Sequence, residues 1–501
     1  MSTFKRWMIL AIVSSALLLI VMDMTILYTA LPSLTADLGA TASEKLWILN
    51  GYSLVMAGLL PAMGTLGDRL GYKRIFTLGL IAFAAASLTA AFAPSPGILV
   101  AARVFLAVGA AMMMPATLSI IRVTFTDPRE LGLALGIWGS ISAGGAGLGP
   151  IIGGLLLERY PWGSVFLINI PIALVALILT VIFIPKHAGD REKKWDMLSS
   201  VQIMIAMVTM IYAIKEFARR GGSPALATIS AVIGVLAFLI FIRRQLRSAS
   251  PLIDLSLFRT ARFTAGFATA MVSSFAQLGV QYLITQRLQL VEGLSPLEAG
   301  IFTLCLPLAA LIAGPLTGLL THKYDVLRIQ SAGLLLGGFG IGFYLLQLNG
   351  AMSGQILGLT LFGAGLGAAM TTASHSIMSN APAHKAGMAA SIEEVAFEMG
   401  GASGTAIIGS FAGLLYTLSL KLPGDMQAPA QVYDSLDEAL LAAEALPVAV
   451  ADMLREAGRA AFDDAYVMVV SGAAILLVLG AAVIGWTSRR SSRAGSIGHS
   501  R

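Results

Sequence analysis

Gly64-Thr-Leu-Gly67-Asp68-Arg69-Leu-Gly71-Tyr72-Lys73-Arg74 follows the second of a series of long apolar runs. A degraded copy, Gly318-Leu-Leu-Thr321-His322-Lys323-Tyr324-Asp325-Val-Leu-Arg328, follows the tenth. A short, basic, glycine-punctuated turn recurring at the same place in two sets of six runs reads as an internal repeat. It implies two related six-helix halves with two helices between them. The glycines suit a chain that must reverse within a few residues at a membrane face. The charges suit pairing with neighbouring helix ends. The copies are unequal: His322 stands where Asp68 does, and Asp325 where Gly71 does.

Working outward, each run approaches the roughly 20 residues that carry an α-helix across a bilayer core. The first six cover 7–29, 46–66, 75–94, 97–121, 131–157 and 164–185, and two more cover 198–217 and 224–242. The last six cover 262–283, 296–321, 328–348, 353–376, 387–416 and 466–487. The expected fold is an all-α integral membrane protein of fourteen spans. Its expected parts are a six-helix bundle with a charged linker over 1–197, two inserted helices and a basic loop over 198–261, and a second six-helix bundle over 262–501. The last part contains a long outer loop, 417–465, whose latter half has helical spacing and reads either as an amphipathic hairpin over the outer mouth or as a solvated loop.

Composition agrees. The 501 residues are 57% hydrophobic and only 12% charged, about half the charged fraction of a soluble chain. Mean hydropathy is +0.82. The 53 glycines suit close helix packing in a membrane. With one cysteine, Cys305, no intramolecular disulfide can form. The first apolar run, Trp7 to Tyr28, is longer than a cleaved signal and carries Asp23, so it reads as a retained first helix. A pI near 9.4 does not mean nucleic acid, because the basic residues sit at the ends of apolar runs. With the N-terminus inside, 23 of the 33 Lys and Arg fall on the inner side, which predicts an even helix count and two cytoplasmic termini.

Further motifs follow the same order along the chain. The first helix carries Asp23, Thr25, Leu27, Ala30, Leu31 and Pro32, and the fourth carries Arg103 followed by Gly109-Ala110-Ala111. The fifth reads Ala143-Gly144-Gly145-Ala146-Gly147-Leu148-Gly149-Pro150-Ile-Ile-Gly153-Gly154, and the sixth opens on Trp162 to Phe166, Asn169 and Pro171. Together with Gly64–Arg74 these resemble the major facilitator superfamily, in particular its fourteen-helix drug:proton antiporter branch and the SmvA- and QacA-type exporters of quaternary ammonium compounds. The resemblance covers nearly the whole chain. It implies two bundles that rock about a central cavity, driven by the proton gradient with no cofactor, in the bacterial inner membrane. The expected partners are organic cations, protons and the bilayer, and the expected state is a monomer. Within the motifs it assigns conformational roles to Gly64, Asp68, Arg69, Gly71, Arg74, Gly145, Gly149, Pro150, Gly153 and Gly154.

The residues themselves point the same way. Asp23 lies about 24 Å along the first helix at 1.5 Å per residue, and Arg103 sits at similar depth from the other side. An intramembrane carboxylate is costly and usually functional, so a proton-sensitive Asp23–Arg103 interaction is expected beside a purely structural ion pair. The thirteenth helix reads Ser391-Ile-Glu393-Glu394-Val-Ala-Phe397-Glu398-Met-Gly400-Gly401. Glu394 and Glu398 share a face and Glu393 is rotated by about 100°. Crowded carboxylates suit proton exchange and attract organic cations, and the resemblance carries such roles onto Glu394 and Glu398. The alternative is that Glu393 and Glu394 are merely hydrated near the inner end. Phe397, beside the acids, is the aromatic favoured for cation contact. Tyr52 and Gln277 are further cavity candidates, with Trp138, Phe275, Gln281 and Phe302, whereas His375 reads as packing. No Walker loop, metal-ligand cluster or nucleophile motif stands in the chain, so an enzyme is not expected. A metabolite symporter, or an exporter of an endogenous lipid or siderophore, remains the rival.

Overall fold

The computed structural model describes residues 1–40, 42–186, 189–190, 196–218, 223–248, 251, 253–382, 385–422, 430–433, 435–444 and 446–498. Much of the linker (191–195) and of the outer loop (423–429) therefore lies outside the described residues, as do the side chains of Pro150, Arg489 and Arg490. Among the described residues the chain is helical throughout, with no strand.

The first half comprises α1 (Thr3–Leu38), α2 (Ala42–Leu70), α3 (Tyr72–Ala91), α4 (Pro96–Thr124), α5 (Pro128–Leu157) and α6 (Ser164–Phe183). Then come α7 (Met197–Ala218) and α8 (Pro224–Arg247). The second half comprises α9 (Ala261–Leu290), α10 (Pro296–Thr303 running on through Cys305–Leu320), α11 (Val326–Leu346), α12 (Met352–Asn380), α13 (Ala386–Ser419) and α14 (Val448–Gly498). Thirteen helices, among the described residues, are long and apolar enough to cross a membrane. The expected second span, α2, is a 29-residue helix outside that count.

Local chemistry sets the helix ends. Ser95 caps α4 ahead of Pro96, Asp127 accepts from the Arg129 and Glu130 amides at the start of α5, and Ser295 and Glu298 form a capping box on α10. Between α2 and α3 the turn is made at Gly71, whose φ of +90° is open to glycine and costly to other residues.

Two apolar cores form, one built mainly by α1–α6 and one by α9–α14. The inserted pair packs on itself and on α2, where Ile203, Met207 and Phe241 close around Ala62. The outer loop departs from expectation at its end. Helix α14 begins at Val448 rather than near 466, because Ala451, Leu454, Ala461, Phe462 and Ala465 form a buried stripe at helical spacing. A short helix, Leu436–Glu444, packs on this extension through Leu436, Ala439 and Ala443, and the Tyr416 hydroxyl donates to the Val432 carbonyl (3.2 Å).

The two halves meet where side chains are smallest. A Cβ on Gly136 of α5 would stand 2.9 Å from the Pro315 Cα of α10, and Gly132 faces Gly318 in the same way. Gly154, by contrast, has nothing within 4 Å of such a Cβ. Gly136→Ala is therefore expected to cost about 1–3 kcal/mol by overpacking, read as a lower thermal midpoint of the detergent-purified chain. Gly154→Ala should leave that midpoint unchanged.

Candidate functional site

Asp23 of α1 and Arg103 of α4 meet at 2.5 Å, both side chains almost wholly buried. The second carboxylate oxygen of Asp23 accepts from Asn169 Nδ2 of α6 at 2.8 Å, and the same nitrogen reaches Ser87 Oγ of α3 at 3.2 Å. The guanidinium lies 4.4 Å from the Tyr52 ring centroid, a cation–π arrangement favoured where water is excluded. Four helices of the first half and α2 thus converge on one ion pair. Tyr52, expected to line a cavity, is instead fully buried against Arg103, and Asp23 is closed off as well. Tyr52 is also within electrostatic reach of Glu398 of α13.

The α13 carboxylates are placed differently from one another. Glu393 is fully buried and accepts from the Ser374 hydroxyl of α12; it is not at a hydrated helix end. Glu394 is also buried, within electrostatic reach of both Glu393 and Glu398. Glu398, one turn on, is partly exposed. Among the described residues, none of the three forms an ion pair. One oxygen of Glu393 and one of Glu394 are buried without a hydrogen-bond partner, a costly arrangement for an ionised group. Phe397 packs against the Ala270–Ala373–Ala396 cluster while its carbonyl accepts from Ser274 Oγ at 2.7 Å. Its ring is partly exposed. Gln277 and Gln281 line a small crevice with Pro307, Phe362 and Met370, so the two amides share one space between α5, α9, α10 and α12.

The glycine motif of α5 serves two neighbours. Gly145 and Gly149 fit against Leu18, Val21 and Thr25 of α1, whereas Gly144 and Gly147 fit against Leu311 and Pro307 of α10. Gly153 is buried, and Gly154 touches neither partner.

On the face that carries both termini, polar groups join the halves. Asp68 Oδ1 accepts from the Gly387 amide at the start of α13 (2.9 Å) and from the Tyr72 hydroxyl (2.7 Å). Gly64 is pressed against Gly387 and Ser391. Arg122 of α4 donates to the Met378 carbonyl near the end of α12 (3.0 Å). A carboxylate thus meets the positive end of one helix and a guanidinium the negative end of another, the favourable sense for each dipole. Deeper in, Ser140 donates to the Ala310 carbonyl at 3.2 Å. Lys385, next to α13, binds Asp254 of the loop after the inserted helices at 2.6 Å. Partial burial pushes the Asp254 carboxyl up, but Lys385 and the Ser256 hydroxyl and amide outweigh it and hold it down at about 2. Arg69 and Arg74 form no ion pair here among the described residues, and in the second half Asp325 accepts from Arg262 and Ser488 instead.

Sequence reasoning missed Asn169 as a partner of Asp23, although an asparagine inside an apolar run was a signal. It also missed Ser374, Arg122 and the Asp254–Lys385 bridge, which only the fold brings together.

Removing one member of a buried pair strands the other. Arg103→Met is expected to cost about 3–5 kcal/mol, seen as a loss of folded yield or thermal midpoint larger than for Glu398→Gln. Because the Asp254 carboxyl is held low, its bridge contributes fully above the ordinary aspartate value of about 3.9. That contribution is lost as pH falls towards 2. The difference in midpoint between the parent and Asp254→Asn should be constant from pH 7 to about 5 and shrink between about 4 and 2.

The profile of the Major Facilitator Superfamily matches residues 13–405. The methyl viologen resistance protein SmvA of Salmonella typhimurium LT2 is 38% identical over 95% of this chain and 97% of its own length. The multidrug efflux pump LfrA of Mycolicibacterium smegmatis is 37% identical over 97% of each. In structure, the human organic anion transporter MFSD10 superposes with a TM-score of 0.59 over 94% of this chain and 99% of its own, at 15% identity, which speaks to the fold alone. The chain belongs to the Major Facilitator Superfamily and is a multi-pass membrane transporter, not an enzyme.

Proposed function

We propose that this chain is a proton-coupled antiporter that exports lipophilic organic cations, dications included, by alternating access. The observation that carries the reading is the set of three α13 carboxylates that form no ion pair among the described residues. A carboxylate in hydrocarbon is tolerable with a proton on it or with a cation beside it. The two conditions exclude each other, and that exclusion is what exchange requires. Glu398, partly exposed, takes the substrate cation, with Phe397 offering an aromatic face and Gln277 a polar wall. Glu394 stands behind it and exchanges protons. Several carboxylates let one site balance a single or a double positive charge. The names of SmvA and LfrA, methyl viologen resistance and multidrug efflux, support the substrate class, since methyl viologen is a permanently charged dication.

In this mechanism Tyr52 links the halves. Proton or cation occupancy at Glu398 acts through the buried ring on Arg103, and so on the Asp23 pair, which adjusts the packing of α1, α4 and α6. The glycines of α5 and the turn Gly64–Arg74 carry the rocking, and the Asp68 and Arg122 contacts hold the terminal face shut until it is released. The excess of Lys and Arg on that face supports a cytoplasmic side with both termini in it. The protein then works as a monomer in the bacterial inner membrane, driven by the proton gradient without a cofactor.

Proteoliposomes holding a lumenal pH reporter test the reading. Adding methyl viologen or a quaternary ammonium dye is expected to move protons. Glu398→Gln should reduce that movement at least tenfold while keeping the parent's thermal midpoint, and Asp23→Asn should impair it in those molecules that fold. No proton movement with any organic cation, from folded protein, would pass the site to a metabolite or lipid.

A further inference from the structure

A second, differently charged site lies on the terminal face of the first half, away from α13. The start of α1, the start of α3, the end of α4 and the end of α6 enclose a crevice of about 280 Å³. Its floor is apolar, with Ile120 and Ile184, and its rim is basic, with Arg6 and Lys73. Lys5 and Lys186 stand near enough to act on the Lys73 charge. Lys73 is held in place by the Ile184 carbonyl (2.6 Å) and the Val181 carbonyl (2.9 Å), so two of its three N–H groups are used and one is left. Only Arg6 has an acidic partner, Glu130 at 2.8 Å. Among the described residues, Lys5, Lys73 and Lys186 have no carboxylate to offset them. Such a ring repels an organic cation and attracts a compact anion with several acceptor oxygens, which is the chemistry of a phosphate group.

The surroundings decide between a soluble phosphate and a lipid. Phe4, two residues before Arg6, and Val181 and Ile182, just before Ile184, are 70%, 59% and 62% exposed, as large apolar side chains are when they face hydrocarbon. A basic rim beside an apolar flank suits the boundary where lipid headgroup gives way to acyl chain. We propose that this crevice seats the phosphate of an anionic phospholipid headgroup on the free N–H of Lys73, with Lys5 and Lys186 adding positive charge nearby and its acyl chains along α6. The inference is independent of the transported substrate, because no residue of α13 lines the crevice.

The test uses the full chain, delipidated in detergent, with its thermal midpoint titrated separately with phosphatidylglycerol, phosphatidylcholine of the same chains, and inorganic phosphate. Phosphatidylglycerol is expected to raise the midpoint while the other two do not. Lys5→Ala/Lys73→Gln/Lys186→Ala should need at least tenfold more phosphatidylglycerol for the same rise. If Lys73→Gln fails to fold, Lys5→Ala/Lys186→Ala, which touches only the surface, should still need several-fold more, and native mass spectrometry should find less phosphatidylglycerol retained. Equal stabilisation by phosphatidylcholine, or variants that titrate like the parent, would overturn the site. A rise with inorganic phosphate equal to that with phosphatidylglycerol would give the crevice to a soluble anion and overturn the lipid assignment.

Discussion

An ionised group inside a bilayer has to find its counter-charge within the protein, and the contact of Asp23 with Arg103 is where this chain meets that demand in full. Asn169 takes the second carboxylate oxygen and Tyr52 covers the guanidinium, while Arg103 Nε and the Tyr52 hydroxyl are buried without a hydrogen-bond partner. The arrangement recruits α1, α2, α3, α4 and α6 at one depth. It therefore fixes how five helices of the first half stand together. Burying both charges costs several kcal/mol per ion, so packing elsewhere has to carry the stability of the half, and the apolar core of α1–α6 is large enough to do so.

The second half answers the same demand in the opposite way. Glu393 and Glu394 of α13 are buried, Ser374 donates to Glu393, and among the described residues none of the three α13 acids forms an ion pair. One half holds a balanced pair and the other an unbalanced cluster, and Tyr52 lies between them. The asymmetry extends to the two turn motifs. Asp68 reaches across to α13, whereas Asp325, in the degraded copy, stays within its own half with Arg262 and Ser488.

Most of this architecture was legible because hydrocarbon imposes a coarse rule: spans are long, apolar and bounded by basic residues. Helix positions and the pairing of Asp23 with Arg103 follow from depth alone. What could not be read was anything depending on rotation about a helix axis. Tyr52 looks like a cavity residue in sequence, yet it turns towards Arg103. Glu393 looks hydrated, yet α12 brings Ser374 over it. The start of α14 was hidden for a different reason. Its first turns are too charged to pass as a span, and their buried stripe has meaning only once Leu436–Glu444 lies against it.

The seam between α5 and α10 has one more implication. Where Gly132 and Gly136 lie on Gly318 and Gly314, backbone rests on backbone, and the side chains that reach the glycines are short hydroxyls, Thr321 on Gly132 and Ser140 on Gly314. Surfaces that interdigitate resist sliding in discrete steps, because each knob must leave its hole before the next is filled. A stretch whose knobs are only short hydroxyls has shallow notches, and one helix can roll on the other there like a journal in a plain bearing. Friction in this molecule then resides in a few polar clasps at the rim rather than in the long interface. In the proposed rocking mechanism, the speed of a stroke would be set by how fast those clasps let go.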